Sequence, residues 1–287
     1  MTLSMKLAFA SSTILLALLP EPARAADAET RLVLDWAKNM LTIQGSQLPG
    51  GELKVWYLEA FCRPGSTRRD WKETVIPHES RLVERDSQGQ RIRLRSTLAD
   101  GVTVDHEITA GKDEVNFQLV ATNPTSVESQ AHWAQPCIRV ASFTGVTQKP
   151  SSEDYLPHCF VFIEGRATRL PTQPWAKEAL YTPGQVWCPK HVSRDDVNPR
   201  PLSTLVPSNG LIGCYSADGK QIMATAWEPY QELFQGVIVC LHSDFRIGGL
   251  KPGETKQIRG KIYLVDADTE ALLKRYERDF PEHAQGK

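Results

Sequence analysis

The chain has 287 residues, 41% of them hydrophobic, with 33 basic and 34 acidic side chains, so its formal charge is −1. A chain this close to neutral lacks the basic footprint that nucleic-acid binding needs. Its apolar fraction is that of a globular protein with a real core, and past the first residues no run approaches the roughly 20 apolar residues that span a bilayer.

Lys6, the apolar run from Leu7 to Leu19 and the small-residue triplet Ala23-Arg24-Ala25 read as a secretory signal. Residues 1–25 are therefore expected to be a signal peptide, and the mature protein to be secreted or periplasmic. The remainder, 26–287, has a length that suits one large β domain. Export permits disulfides among Cys62, Cys137, Cys159, Cys188, Cys214 and Cys240, and six cysteines allow 15 pairings. Cys137 and Cys240 sit inside apolar runs and read as small buried hydrophobes.

Arg31 to Leu41 is compatible with a short helix or a strand. From Glu52 onward strands dominate: Leu53, Val55 and Tyr57 alternate with polar or mixed neighbours, the pattern of a half-buried strand. Residues 81–85, a polar turn at Asp86-Ser87-Gln88-Gly89, and residues 91–95 read as strand, turn, strand. Arg91, Arg93 and Arg95 alternate with apolar residues and mark a wet strand face. Val102–Ile108 and Val115–Thr122 follow as strands. Short strands with polar turns at this spacing imply a sandwich. Asp105-His106-Glu107 does not converge on one site, because on a strand His106 faces away from its two neighbours.

The stretch from Gln148 to Ser208 is rich in proline, which removes ladder donors and favours loops. Cys159–Ile163 is one strand within it. Strands resume at Leu211–Tyr215, Gln221–Ala226 and Ile258–Val265. Asp268 or Thr269 can cap a closing helix that places Leu272, Leu273, Tyr276 and Phe280 along one face.

Two segments carry a family likeness. The first is Ala224-Thr225-Ala226-Trp227-Glu228-Pro229-Tyr230, then Val237-Ile238-Val239-Cys240-Leu241-His242, then Leu250-Lys251-Pro252-Gly253-Glu254. The second is Phe117-Gln118-Leu119-Val120-Ala121-Thr122-Asn123-Pro124-Thr125, continuing through Glu128 to His132-Trp133. Together they resemble the galactose-mutarotase (aldose 1-epimerase) superfamily, and most of all its hexose-6-phosphate epimerase branch. The resemblance implies an all-β galactose-mutarotase-like supersandwich with a short C-terminal helix, and a saccharide ligand on a concave sheet face. In that family a strand Glu is the catalytic base and a His the acid. His132 matches the acid in context; His242 stands where the base Glu is expected. A neutral imidazole can accept a proton near pH 7, and period-two alternation puts Asp244 on the same sheet face as His242. The pair His132 and His242 is thus the expected catalytic set, with Asp244 as a supporting or ligand-binding group. His78 and Arg81 faintly resemble the family's substrate segment, so Arg81 is either a sugar ligand or an exposed strand residue.

Trp187 and Trp175 lie in the proline-rich loops, where a flat ring can stack on a sugar or simply pack. His158 is either a pocket residue or a loop residue. His158-Cys159 and Cys188-Pro189-Lys190-His191 raise a zinc question, but one Cys-x-x-His with an isolated His-Cys falls short of paired ligand spacings; no metal and no cofactor are expected. Export separates the protein from phosphosugars, and no arginine cluster suited to a phosphate is visible. The reading is an exported carbohydrate-active protein, with a non-catalytic carbohydrate-binding or scaffold module as the alternative.

Overall fold

The structure is a computed structural model that describes Met1 and residues 31–149, 153–174, 184–236 and 238–284. The expected signal peptide, Trp175 and Val237 lie outside the described residues. The strands, in chain order, are β1 (Val33–Ala37), β2 (Met40–Gln44), β3 (Glu52–Cys62), β4 (Val75–Ile76), β5 (His78–Arg85), β6 (Arg91–Leu98), β7 (Thr103–Ala110), β8 (Glu114–Thr122), β9 (Trp133–Arg139), β10 (Cys159–Ile163), β11 (Arg166–Arg169), β12 (Gln185–Trp187), β13 (Ile212–Tyr215), β14 (Gln221–Glu228), β15 (Tyr230–Gln235), β16 (Cys240–Arg246) and β17 (Thr255–Asp266). The helices are α1 (Trp71–Thr74), α2 (Ala141–Thr144), α3 (Thr269–Asp279) and α4 (Pro281–Ala284).

Two antiparallel sheets stack face to face. One has eight strands in the order β1-β2-β3-β9-β16-β15-β12, with β4 on β3; the other has nine, β11-β10-β13-β14-β17-β8-β7-β6-β5. Inward side chains of both sheets, among them Val55, Tyr57, Ile138, Leu233, Leu241, Phe245, Leu94, Ile108, Phe117 and Ile262, form one continuous core. The expected all-β sandwich with a C-terminal helix is what the chain forms.

Local sequence accounts for most elements. The open question at Arg31–Leu41 resolves to the β1–β2 hairpin, whose turn residues Lys38 and Asn39 both have positive φ, as a two-residue hairpin turn of that hand requires. Arg91 and Arg95 lie on the wet face of β6 and pair with Glu107 and Asp105 on β7. The proline-rich middle is less loop-like than its composition suggests, since β11 and β12 both pair there. In the segment that follows, β16 begins at Cys240, and β15 precedes it as an unforeseen partner.

α3 closes the outer face of the nine-stranded sheet. Asp268 accepts from the backbone N–H groups of Glu270 and Ala271 at 3.0 Å each, an N-cap that satisfies two donors of the first turn. Leu272, Tyr276 and Phe280 pack on Phe160, Phe162, Ile222 and Tyr263. Arg275 grips Asp113 and Glu114, and Lys261 bridges Glu114 and Asp279 at 2.9 Å each. Burial alone would raise Glu114, but donors from Asn116, Lys261 and Arg275 outweigh it and hold the carboxyl at about 2.

His106 is a structural lock. It is buried in the core with Nδ1 2.9 Å from the Tyr57 hydroxyl and Nε2 3.0 Å from Ser96 Oγ, and burial lowers its pKa to about 3. The unfolded chain takes up this proton near pH 6.5, the folded one only near 3. The contribution is complete above pH 6.5 and is lost as the pH falls toward 3, at about 1.4 kcal/mol per pH unit. Urea unfolding between pH 7 and 4 should show this slope in the native sequence and a slope shallower by about one proton in His106→Gln. Equal slopes would remove His106 from the acid response.

Candidate functional site

The outer face of the eight-stranded sheet is polar where a sandwich face would ordinarily be wet, yet it is covered. On β16 the inward residues Leu241 and Phe245 belong to the core, so strand alternation sends Cys240, His242 and Asp244 to the outer face. On β15 Glu232 pairs with Asp244 and Phe234 with His242. β9 contributes Gln135 and Cys137, and the pairing of Leu241 with Ile138 sets Cys137 opposite His242. β3 carries an irregularity between Trp56 and Ala60; Tyr57 and Leu58 both reach the core, and Glu59 is delivered to the outer side, as a bulge re-aims a side chain.

The loop after β12 forms the cover. Both oxygens of Glu232 accept from the backbone N–H of Asn198 at 3.1 and 2.9 Å, and the Asn198 amide donates to Gln135 at 3.3 Å. Val192 and Val197 pack with Val186, Cys188 and Phe234. A second loop clamps the first: Gly65 N–H donates to Asp196 at 2.9 Å and Ser66 to the Val197 carbonyl at 3.0 Å.

Beneath this cover lies a cavity of about 150 Å³, lined by Glu59, Trp71, Gln135, Asn198, Arg200 and Phe234, with Gly236, Ile238, Cys240 and His242 completing the wall. His242 spans two acidic neighbours. Its Nε2 is 3.3 Å from Cys240 Sγ, and its Nδ1 is 3.6 Å from Asp244 Oδ1. Burial opposes a charged His242, but Cys240 and Asp244 overcome it and raise the imidazole to about 10. Burial likewise opposes ionisation of Cys240, yet hydrogen bonding with Cys137 and the adjacent imidazolium pull the thiol well below its ordinary range. Burial lifts Asp244 to about 7 against the pull of His242. Glu59 and Glu232 are also raised, chiefly by burial.

The residues expected from sequence divide sharply. His242 and Asp244 meet at the cavity floor. His132 does not join them: its carbonyl accepts from the N–H of Ile247 at 2.8 Å, five residues beyond His242 and so roughly 16 Å along the strand. There its Nδ1 is 3.8 Å from Asp196, which also takes Arg246 at 3.3 Å. Trp187 is a correction. β12 pairs with β15, so Val186 faces out and Trp187 is fully buried in the inter-sheet core, its Nε1 donating to Thr172 at 3.1 Å; it has no face to offer a sugar. Arg81 lies exposed on the edge strand β5, opposite Arg95 in the other sheet. His158 ends a short turn on that sheet, where its carbonyl accepts from Arg169. Cys159 pairs across strands with Cys214, Cys188 sits under the cover, and His191 contacts the Tyr230 carbonyl, so the zinc ligands weighed from sequence do not meet. Among the described residues all six cysteines are buried and free of disulfides.

Sequence reasoning missed Glu59, Gln135, Asn198, Arg200, Glu232 and Phe234. One available signal was the continuation of the His242–Asp244 alternation backward to Cys240.

No protein-family model and no curated protein matches the chain. Among solved structures, an Escherichia coli K12 protein provisionally assigned as an aldose 1-epimerase aligns at 12% identity over 81% of this chain and 98% of its own, with a TM-score of 0.40. A galactose mutarotase-like protein from Lactobacillus casei ATCC 334 aligns at 8% identity over 81% and 99%, with a TM-score of 0.42. Identities this low leave each site residue to be argued from this chain's own geometry.

The cover depends on Glu232. Replacing it with Ala should free the 189–202 loop, seen as faster limited proteolysis within that loop, at a cost of about 1–3 kcal/mol for the Asn198 N–H left without its acceptor. Unchanged cleavage would mean the loop is held by its apolar contacts and the Gly65–Ser66 clamp without Glu232.

Proposed function

We propose that this is an exported, carbohydrate-directed protein of the galactose-mutarotase kind that holds one saccharide ring in the cavity over the eight-stranded sheet. The wall carries the reading. Trp71 and Phe234 supply flat apolar rings, and Glu59, Gln135, Asn198 and Arg200 supply hydrogen-bonding groups on the same cavity. A sugar ring presents the matching pair of surfaces, apolar C–H faces and a hydroxylated edge, and sites for small ligands combine mostly apolar walls with a few convergent polar groups. The volume suits one ring and not an extended chain. The likeness of residues 224–254 to the mutarotase pattern supports the same class, and Lys6 with the Leu7–Leu19 run and Ala23-Arg24-Ala25 supports export.

A catalytic version has its own support. Glu59 and His242 both line the cavity, so a carboxyl and an imidazole from different strands face one ligand. Opening and reclosing a sugar ring needs one group to protonate the ring oxygen and another to take the anomeric proton. This pair meets that need in place of His132 and His242.

Calorimetric titration of the mature protein with a panel of neutral and acidic monosaccharides should give saturable binding to at least one, weakened about tenfold or more, ~1.4 kcal/mol, by Phe234→Ala or Trp71→Ala. No binding across the panel would sink the saccharide reading. Polarimetry on the sugar that binds then separates the two versions: an enzyme speeds mutarotation, and Glu59→Gln should remove about 100-fold or more of that acceleration. Binding without acceleration identifies a binding module.

A further inference from the structure

The geometry assigns a metal site to Cys137, Cys240 and His242: a thiophilic divalent cation of the zinc type, held by two thiolates and one imidazole with its remaining position turned toward the cavity. This goes beyond the saccharide reading and does not require it. The two Sγ atoms and the imidazole nitrogen lie within 4.8 Å of one another, and all three residues are buried. With metal–sulfur bonds of about 2.3 Å and metal–nitrogen bonds of about 2.0 Å, ligand atoms of a tetrahedron stand about 3.5–3.8 Å apart. The separation of 3.3 Å between Cys240 Sγ and His242 Nε2 is close to that edge.

Three further observations point to a cation in place of an ordinary thiol cluster. First, His242 is oriented as a ligand: Nε2 faces the sulfurs while Nδ1 faces Asp244 Oδ1 at 3.6 Å. A metal-binding imidazole characteristically presents its far N–H to a carboxylate, which fixes ring and tautomer. Second, Asp244 is fully buried and, among the described residues, neither of its oxygens, nor His242 Nδ1, has a hydrogen-bond partner. A buried carboxylate without donors is costly, and a dication on the far side of the imidazole would strengthen the His242 N–H that faces it. Third, the register disfavours the obvious alternative. Cys137 stands opposite His242, so Cys240 is its diagonal neighbour. Diagonal residues are about 7–8 Å apart, beyond the usual Cα span of about 4.4–6.8 Å for a disulfide. The thiols are placed to share an ion more readily than a bond, even in an oxidising compartment.

Room is built in as well. A Cβ on Gly236 would come within 2.2 Å of Cys240 Sγ, so only glycine allows the turn to lie over the sulfur. Glu59 accepts from the Gln135 amide at 3.4 Å and lines the cavity, next to the open position. Cys137 and Cys240 would bind as thiolates, their protons released to solvent. If the cation is present, His242 is a ligand and not an acid, and Glu59 remains the proton-handling group of the cavity.

The full-length mature protein, purified without chelator, should carry about one zinc-type ion per chain by elemental analysis. After removal of the ion, Co2+ should produce the thiolate charge-transfer and ligand-field bands of a tetrahedral sulfur site. Cys137→Ser and Cys240→Ser should lose those bands. Asp244→Asn should keep them but weaken metal affinity by about 10–100-fold. Cys188→Ser, outside the cluster, should leave content and spectrum unchanged. Chelation should lower the melting temperature and metal should restore it. Metal-free protein that shows no Co2+ bands overturns the site, as does a Cys137–Cys240 disulfide by mass spectrometry, or a metal-free protein whose Cys240 alone is alkylated by stoichiometric iodoacetamide. Bound metal with no sugar affinity removes only the saccharide reading; sugar affinity without metal removes only this one.

Discussion

A carboxylate cannot remain ionised in a protein interior without a cation or hydrogen-bond donors, and among the described residues only the His242 imidazole faces Asp244 as a cation. That dependence organises the outer face of the eight-stranded sheet. The imidazole is held between Asp244 on one nitrogen and Cys240 on the other, so its ring orientation is fixed by charge as well as by packing against Phe234, 4.7 Å away. Glu59 and Glu232 add further buried acid to the same face. Such a face is stable only if water is excluded selectively and each polar group finds a partner.

The covering loop supplies those partners through its backbone. Asn198 gives its N–H to Glu232 and its side-chain amide to Gln135, so one residue satisfies acceptors on two strands. The far end of the face is tied by Arg246, which bonds Gln231 at 2.6 Å and Asp196 at 3.3 Å. His132 stands beside this tie, its Nδ1 3.8 Å from Asp196, and away from the cavity.

The architecture was legible where a single periodicity governs a segment. β6, β7 and β8 alternate strictly, and each inward residue from Ile92 to Ala121 is buried as the pattern requires. The helix α3 was legible because Asp268 caps it and Leu272 and Tyr276 fall one turn apart on one face. The site was legible only as far as one strand reaches: His242 and Asp244 are two residues apart, so alternation alone puts them together. The rest depends on pairing between distant strands. Cys137 meets His242 across about a hundred residues of chain, and Glu59 reaches the cavity only because the ladder slips between Trp56 and Ala60. Neither the register nor the slip leaves a mark in local composition. Trp187 shows the converse error. Proline content argued for an open loop, but three residues suffice for β12 to pair with β15 and turn the indole into the core.

From sequence, His242 is expected where the mutarotase pattern has a base carboxylate; its surroundings here suit an imidazole better than another acid. A carboxylate at this position would stand beside Asp244, Glu232 and Glu59 as a fourth buried acid, and like charges so close cannot all ionise. An imidazole reverses the sign at that point and gives the acids a counter-charge. It also turns a second nitrogen toward two sulfurs that a carboxylate would repel once they ionise. The Cys240-His242-Asp244 row therefore works as a unit: Asp244 orients the ring, the ring faces the thiols, and the thiols complete a donor set that suits a soft cation better than a lone proton. The strand position of His242 has the composition of a ligand set, and the cavity in front of it supplies Glu59 as a separate group for handling protons.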